Sequence, residues 1–374
     1  MRELSSFADV KVIAPLPTLG YLKGIDRFKK FKAHEVGVPY CEIFESISVY
    51  HPRYLALPRL SLFHQWSYER AVDILITEIN SKWPIDAVNC HWLFPDGVAI
   101  QRICQRMNIP LMLTPLGTDL NRYCDFKVRR YYIGKALKNA SRVSVLNSKM
   151  FDKCISIGVK KERLTIIPNG VDTEKFRILD KHDCRNKLKI DCHYKMVLFV
   201  GSLVPVKNIP VLLNAFKLLR DIVKNIEIKL YIVGTGHQEK FLRSLVSDLN
   251  ISDSSLFIGS VLHDDLPDWM NAADCLCLPS LSEGHPNVMM EALACGTPVI
   301  GSNVGSIPDF ISENKKTGLI VDAMSSIDIA NKINSSLSQE FDRNIIRESV
   351  SSYSWRYCAE QYFKEIKLIT TCNN

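Results

Sequence analysis

Short runs of β-branched and apolar residues alternate with helical segments along most of this chain, and this alternation limits the folds open to it. Strand and helix units in succession are typical of parallel sheets covered by helices. The runs that we predict as strands form one series in each half of the chain. They are 9–15, 87–91, 111–114 and 142–146, then 196–200, 228–233, 255–258, 275–278, 297–301 and 318–321.

A polar stretch, 172–194, rich in Lys, Arg and Asp, separates the two series. It predicts a connection between two domains. A length of 374 residues and a hydrophobic content of 47% are enough for two substantial cores. We therefore predict an α/β protein of two domains, each built on a parallel sheet.

Composition narrows the cellular setting. No apolar run reaches the roughly 18 to 20 residues of a membrane-spanning helix, and residues 1–6 lack the apolar region of a signal peptide, so we expect a cytoplasmic protein. The 12 cysteines are scattered without C-x2-C pairs, and Cys90, Cys275 and Cys277 fall in apolar strand-like runs. They predict reduced core cysteines rather than disulfides or metal ligands.

The net charge of +7 is modest, so its placement matters more than its size, and two basic clusters lie in the first half. These are Arg27, Lys29, Lys30 and Lys32, and then Lys127, Arg129 and Arg130, which Tyr131 and Tyr132 follow. Such clusters can bind an anionic membrane surface, which would make the protein peripheral at the inner face of the membrane. A solvated helix face is the structural alternative. No aromatic-interleaved basic motif accompanies the charge, so nucleic acid is not an expected partner.

The segment 282–300 places two glutamates eight positions apart around the start of a predicted helix. Asn287 is the predicted N-cap, and Gly296 the residue after the helix end. Glu291 then lies one turn inside the helix, and Glu283 in the loop before it. Both carboxylates can face one pocket at the helix N-terminus, which favours a phosphate and sugar hydroxyls. An amphipathic helix that carries one glutamate by accident is the structural alternative.

Four motifs, in this order, resemble those of the retaining GT-B glycosyltransferases typified by glycogen and sucrose synthases and bacterial envelope glycosyltransferases (group 1, family 4-like). They are P-N-G-V-D in 167–172, a relative of G-R-L-x-x-x-K-G in 198–208, V-G-x-G in 230–236 and E-x7-E in 283–291. The resemblance implies two Rossmann-like domains with a cleft between them. It gives an acceptor-side domain over 1–172, a nucleotide-sugar domain over 173–354 and a C-terminal helix, 355–374, that returns to the first domain.

The resemblance also implies a reaction. A sugar, in this family a hexose, would move with retention from a nucleoside diphosphate to a polysaccharide or lipid-linked envelope acceptor, without a cofactor. Negative charge builds on the departing diphosphate, so the site has to neutralise it. No two aspartates stand two apart, which disfavours the Asp-x-Asp metal site of the other main glycosyltransferase architecture. We therefore expect metal-independent catalysis by positive charge and positioning.

Lys207 is the predicted cation for the diphosphate. It lies between a predicted strand and a helix marked by Asn208 as cap and Pro210 near its first residue, so its ammonium can reach a phosphate at that helix N-terminus. A solvated lysine is the structural alternative. In the family this lysine works with an arginine, and Ser202 stands at the arginine's position here. A serine hydroxyl offers only a neutral hydrogen bond.

Two further candidates lie in the first half. His91 ends the strand 87–91, at the edge where α/β sheets gather ligands, and the resemblance implies that it contacts the donor sugar near the reacting carbon. A core histidine is the structural alternative. Asp119 resembles the aspartate of the family's H-G-x-D segment, although Pro115 and Leu116 depart from it. We assign Asp119 to the acceptor side.

The resemblance assigns ribose hydroxyls to Glu291 and the transferred hexose to Glu283, which joins His91 and Lys207 as catalytic candidates. The predicted donor contacts are Gly201, Ser202, Lys207, Gly234, Gly284, Asn287, Val288 and Glu291. A nucleophilic Glu283 would give double displacement. We favour a front-face mechanism in which the leaving phosphate helps deprotonate the acceptor, because the motif offers no obvious second carboxylate as acid/base partner.

Family members begin with a strand, a glycine-rich loop and a helix, and residues 1–7 resemble only the tail of that helix. We therefore expect that about 25 to 30 residues, one strand-loop-helix unit, are missing through a misassigned start or a truncation. Two alternatives stay open, a catalytically impaired nucleotide-sugar-binding remnant and a UDP-sugar epimerase, although such epimerases as a rule lack this glutamate spacing. The nucleobase, sugar, acceptor and oligomeric state are open as well.

Overall fold

A computed structural model of the chain describes residues 2–18, 37–56, 61–311, 314 and 316–371. They form two compact units. The first comprises Met1–Ile167 and Cys358–Asn374, and the second comprises Pro168–Tyr357.

The first unit begins with short strands and continues with alternating strands and helices. Its strands are β1 (Lys11–Ile13), β2 (Leu16–Thr18), β3 (Cys41–Phe44), β4 (Ile47–Tyr50), β5 (Arg53–Leu55), β6 (Val88–His91), β7 (Leu111–Thr114), β8 (Arg142–Val145) and β9 (Leu164–Ile166). Its helices before the second unit are α1 (Ser61–Lys82), α2 (Val98–Met107), α3 (Thr118–Asn121), α4 (Lys127–Asn139) and α5 (Ser148–Ile157). Strands β6, β7, β8 and β9 lie side by side in that order, all parallel, as the alternation predicts.

Strand β7 shows why the strands of this sheet are apolar runs in the sequence. Successive side chains of a strand point to opposite faces. Leu113 packs into the main core of the unit, while Met112 packs on the other face with Cys358 and Ile369 near the C-terminus. Because both faces are covered, the strand is buried over its whole length.

The second unit is an open, fully parallel α/β sheet. Its strands are β10 (Lys195–Val200), β11 (Ile228–Val233), β12 (Ser255–Gly259), β13 (Cys275–Leu278), β14 (Val299–Ser302) and β15 (Gly318–Val321). Its helices are α6 (Lys181–Leu188), α7 (Ile209–Ile222), α8 (Glu239–Asp248), α9 (Leu266–Ala272), α10 (Asn287–Ala294), α11 (Ile307–Phe310), α12 (Ser326–Ser338) and α13 (Arg343–Ser351). The last helix, α14 (Trp355–Thr371), carries the chain back into the first unit from Cys358 onward.

The strand order of the second unit, β12-β11-β10-β13-β14-β15, reverses between β10 and β13. The chain first runs outward from β10 to β12 on one side, and then from β13 to β15 on the other. Ligands of open α/β sheets bind beyond the carboxyl ends of the strands at such a reversal. The segments that follow β10 and β13 carry Lys207 and the two glutamates, so the topology brings the predicted residues to one edge.

Our prediction that 172–194 is a connection between domains is wrong. The stretch belongs to the second unit and contains α6. Phe176 and Cys184 are buried in the core of that unit, and Arg185 donates a hydrogen bond of 2.9 Å to the Asp274 carboxylate. Most of the polar residues that suggested a linker lie on the outer side of this packed segment, while Arg185 is buried.

The prediction of core cysteines is confirmed for most of those described, but Cys41 and Cys192 are exposed. Every cysteine in the described ranges is free, and Cys90, Cys275 and Cys277 are buried. Among the helices that the structure describes, none has the length and apolar character that a membrane crossing requires.

Candidate functional site

Lys207 and Glu283 meet at the reversal of the second sheet. The Lys207 Nζ donates to Glu283 Oε1 at 2.6 Å, and the two side chains are only 19% and 11% exposed. Shielding from water strengthens the attraction between the two charges relative to a surface pair. An ammonium carries three N–H donors. Lys207 can therefore keep Glu283 and still bind an anion.

The turn that carries Lys207 is held in place by the side chain of the next residue, Asn208. Pro205–Lys207 form a short 3-10 turn, and α7 begins at Ile209 with Pro210 in its first turn, as predicted. Asn208 occupies the N-cap position, but its side chain does not cap the helix. It donates to the carbonyl oxygens of Pro279 and Ala323 at 3.2 and 2.7 Å, which ties the lysine turn to the segments after β13 and β15.

The predicted N-cap of α10 is wrong by one residue. The helix begins at Asn287, and Pro286, with extended backbone at φ −74° and ψ 109°, takes the capping position. The Asn287 Oδ1 accepts a hydrogen bond of 3.0 Å from Asn169 Nδ2. A tertiary contact with the P-N-G-V-D segment has therefore replaced the local cap that the sequence suggested.

The predicted end of α10 is confirmed. Gly296 follows Cys295, the last capping residue, in the left-handed region at φ +71°. A Cβ on Gly296 would lie 2.7 Å from Cβ of Arg343, so glycine meets both the conformational and the spatial requirement of this C′ position. Arg343 also donates to the Cys295 carbonyl oxygen at 2.9 Å, which stabilises the helix C-terminus.

Glu291 lies one turn inside α10, and its side chain is 13% exposed. Its Oε1 is 3.1 Å from Nε2 of His263, a residue that the sequence interpretation missed. His263 follows β12 in the chain. Its position just beyond the carboxyl end of a predicted parallel strand was the one available signal.

Two of the predicted donor-binding glycines lie at the tips of β10 and β11. The Gly201 N–H donates to the Val233 carbonyl oxygen at 3.0 Å, and the Gly234 N–H to that of Gly259 at 2.7 Å. These bonds hold the ends of three adjacent strands together. Ser202, which stands where the family has an arginine, is exposed next to Gly201.

The loop before α10 is held by backbone and ring contacts. The Gly284 carbonyl oxygen accepts from the Ser306 N–H at 3.0 Å, and the Val288 side chain packs partly against the core. The ring of His285 is buried with its centroid 5.4 Å from that of Phe310. Burial lowers the pKa of His285 to about 4, so this ring is neutral at pH 7 and is part of the packing.

His91 belongs to the first unit, where it ends β6. Its ring centroid lies 5.7 Å from that of Tyr362 on α14. Burial lowers the pKa of His91 to about 4. The imidazole is therefore neutral at pH 7, with one nitrogen that donates and one that accepts. Its contact with a donor sugar stays a prediction.

Asp119, also in the first unit, is fully buried. Its carboxylate accepts hydrogen bonds from the backbone N–H groups of Leu93, Leu116, Gly117 and Leu120 at about 3 Å. Burial raises the pKa of Asp119, and the four amide donors oppose that rise. The side chain thus fixes the loops after β6 and β7. Its acceptor-side role stays a prediction and can act only through those loops.

The basic cluster at 27–32 lies outside the described residues. The other lies at the start of α4, where the Arg129 guanidinium sits 4.8 to 5.3 Å from the ring centroids of Tyr123, Phe126 and Phe94. Lys127 and Arg130 are exposed beside it.

Comparison with known proteins assigns the chain to a family. Residues 31–175 match the model of Glycosyltransferase Family 4, and residues 180–352 match that of Glycosyl transferases group 1. TuaC of Bacillus subtilis (strain 168), whose name assigns it to teichuronic acid biosynthesis, is 27% identical over 310 residues, 82% of this chain and 75% of TuaC. A D-inositol 3-phosphate glycosyltransferase of Pseudarthrobacter chlorophenolicus is 33% identical over 256 residues, 66% of this chain and 60% of that enzyme.

A solved structure gives the same result for the fold. The crystal structure of Anabaena HepE in complex with UDP and glucose matches 98% of this chain and 94% of its own, with a TM-score of 0.72 and 16% identity. Fold, motif order and both family models agree. The chain belongs to the GT-B glycosyltransferases, with a family 4 sequence followed by a group 1 sequence.

Proposed function

We propose that this glycosyltransferase is a retaining, metal-independent enzyme that moves a hexose from a nucleoside diphosphate to a polysaccharide or lipid-linked acceptor of the cell envelope. The observation that carries the proposal is the Lys207–Glu283 pair, with Glu291 in the helix that follows, at the strand-order reversal of the second unit. UDP and glucose in the similar HepE structure support the donor class. The name of TuaC supports an envelope acceptor.

Each side chain has one role in this proposal. Lys207 neutralises the departing diphosphate, Glu283 binds hydroxyls of the transferred sugar, and Glu291 binds those of the ribose. The bond from the anomeric carbon to the phosphate oxygen breaks, the acceptor oxygen attacks from the same face, and its proton passes to the leaving phosphate. Pairing with an ammonium makes Glu283 a poor nucleophile, which supports the front-face mechanism over double displacement.

A thermal-shift panel of UDP-, GDP- and ADP-sugars tests the donor. A ligand that binds only the folded state stabilises by about 2.7 kcal/mol at 100 times its Kd, so one nucleotide class should raise the Tm clearly. Turnover assays with the best ligand then separate the alternatives. Transfer supports the proposal, binding without turnover favours the impaired remnant, and an isomerised sugar favours the epimerase. A panel without any shift would contradict all three.

Ser202→Arg should tighten donor binding. The variant restores a second cation next to Gly201, and a charged hydrogen bond to phosphate is worth about 1.5 to 3 kcal/mol, or roughly 10-fold or more in Kd. Ser202→Gln, which adds a shorter polar side chain without charge, is the control and should bind like wild type. Equal Kd values for the arginine and glutamine variants would place the diphosphate away from Ser202.

We also propose that the start of α4 binds an anionic membrane surface, where a lipid-linked acceptor would lie. Phe126, Val128 and Tyr131 are exposed there, together with Lys127 and Arg130. Aromatic and basic side chains on one surface are typical of proteins that bind the membrane interface. Binding through this surface would hold the protein at the inner face of the membrane.

Phe126→Ser combined with Tyr131→Ser should weaken binding to phosphatidylglycerol vesicles about tenfold, since two interfacial rings are lost. Vesicle co-sedimentation measures the effect. Phe241→Ser, which removes a similarly exposed ring from the second unit, is the matched control. Unchanged sedimentation of the double variant would exclude this surface.

A further inference from the structure

His263 joins two charged groups of the second unit. Its Nε2 is 3.1 Å from Glu291 Oε1, and its Nδ1 is 2.9 Å from the Nζ of Lys175. Its ring packs edge-to-face with that of Phe176, with centroids 5.3 Å apart. Phe176 is buried, so the imidazole has a fixed backing although 58% of its side chain is exposed.

The lysine determines which imidazole nitrogen carries the proton. An ammonium only donates hydrogen bonds, so the Nδ1 that faces Lys175 has to accept. The proton of the neutral ring is then on Nε2, which donates it to Glu291. Lys175 is itself held by an ion pair with Asp264. Asp264, Lys175, His263 and Glu291 therefore form a continuous chain of polar contacts that ends at the Glu291 carboxylate.

This arrangement orients Glu291 before any ligand arrives. The bond from His263 occupies Oε1, and no residue in the described ranges hydrogen-bonds to Oε2. A carboxylate oxygen that is held in place and unpaired can accept a hydrogen bond from a ligand hydroxyl. A side chain fixed in advance loses less conformational freedom on binding, so its ligand binds more tightly.

We propose that His263 is a positioning residue for donor binding, with Lys175 fixing its tautomer and Glu291 receiving its N–H. The inference rests on the donor-binding role proposed for Glu291. The ligand class is a nucleoside-diphosphate sugar with free ribose hydroxyls. His263 does not touch the reacting atoms.

The tautomer is testable without a donor. Two-bond nitrogen–proton spectra of ¹⁵N-histidine-labelled protein at about pH 8, where a free histidine is neutral, distinguish Nε2–H from Nδ1–H. Loss of a signal in His263→Gln assigns the residue. We expect the Nε2–H form in wild type and a mixture in Lys175→Met. The Nδ1–H form in wild type would overturn the inference.

Donor affinity gives the second test, with the nucleotide sugar that shifts wild type most in the panel above. His263→Leu should raise its Kd about 5- to 20-fold, as expected for one lost hydrogen bond to a charged group. His263→Gln, whose amide N–H lies near the place of Nε2, should stay within about threefold of wild type. His193→Leu, at an exposed histidine far along the chain, is the matched control.

A double variant connects the effect to the carboxylate. In a Glu291→Gln background, His263→Leu should change the Kd by less than about twofold, because the group that it positions is gone. Fully additive losses, or a wild-type Kd for His263→Leu, would overturn the inference. If Glu291→Gln weakens binding and His263→Leu does not, only this inference fails. If no nucleotide sugar binds wild type, the proposed function fails and the inference with it.

Discussion

Lys207→Met should strongly reduce glycosyl transfer while the protein stays folded. The substitution keeps the length of the side chain and removes the cation that neutralises the leaving diphosphate. Loss of one such electrostatic contact typically lowers kcat by about 100- to 1,000-fold. The measurement is turnover of the donor that the thermal-shift panel identifies, together with its Kd.

The same variant has a cost in stability that its controls separate from catalysis. Glu283, only 11% exposed, would lose its partner, which costs about 1 to 3 kcal/mol. Lys217→Met removes a lysine on α7 that pairs with Asp221 at a more exposed site, and should leave activity unchanged. Lys207→Arg retains the charge and should recover part of the activity. Wild-type turnover in Lys207→Met would remove Lys207 from the mechanism.

Gly234→Ala should be one of the most destabilising single methyl additions in the second unit. Gly234 has φ +130°, and a Cβ there would lie 2.0 Å from the carbonyl oxygen of Gly201. The oxygen that the Cβ would meet belongs to the backbone, so the clash cannot be relieved by moving a side chain. We expect a loss of at least about 4 kcal/mol in the free energy of unfolding, or failure to fold. Urea unfolding measures it.

Gly259→Ala is the matched control. Gly259 also has positive φ, +81°, but no atom lies within 4 Å of a Cβ built there. It should therefore lose only about 1 to 2 kcal/mol, the conformational part of the penalty. Equal losses in the two variants would show that the close approach of the β10 and β11 tips adds nothing to the conformational penalty.

Buried strands were the most predictable part of the fold. In the second unit, β11, β13 and β15 have the predicted ends, because each is a largely apolar run bounded by polar, glycine or proline residues. The pattern of such runs reports burial on both faces of a parallel sheet. The strand at 299–302 is shifted from its prediction, since the pairing of β14 with its neighbours, rather than local composition, sets its ends.

Side chains that cap helices were less predictable. Asn287 and Asn208 both suit an N-cap locally, yet the side-chain amide of each hydrogen-bonds to a distant part of the second unit. Asn287 bonds to Asn169. Asn208 bonds to the carbonyl oxygens of Pro279 and Ala323. Such partners are chosen by tertiary structure and leave no mark in the nearby sequence. The prediction that the polar run 172–194 connects two domains failed for a related reason, because Phe176 within it is buried in the core.

The site also contains residues that could be predicted from the sequence and one that could not. Lys207, Glu283 and Glu291 stand in motifs whose spacing reflects one strand-turn-helix unit each, so their placement followed from sequence. His263 reaches Glu291 across 28 positions. Only the sheet, which brings the ends of β12 and β13 to one edge, relates the two.

The most direct test is a crystal structure of the protein with its nucleotide sugar bound. The account predicts a diphosphate oxygen within roughly 3 Å of Lys207 Nζ and ribose hydroxyls at hydrogen-bonding distance from Glu291. A nucleotide bound elsewhere, with neither side chain touching it, would contradict the account.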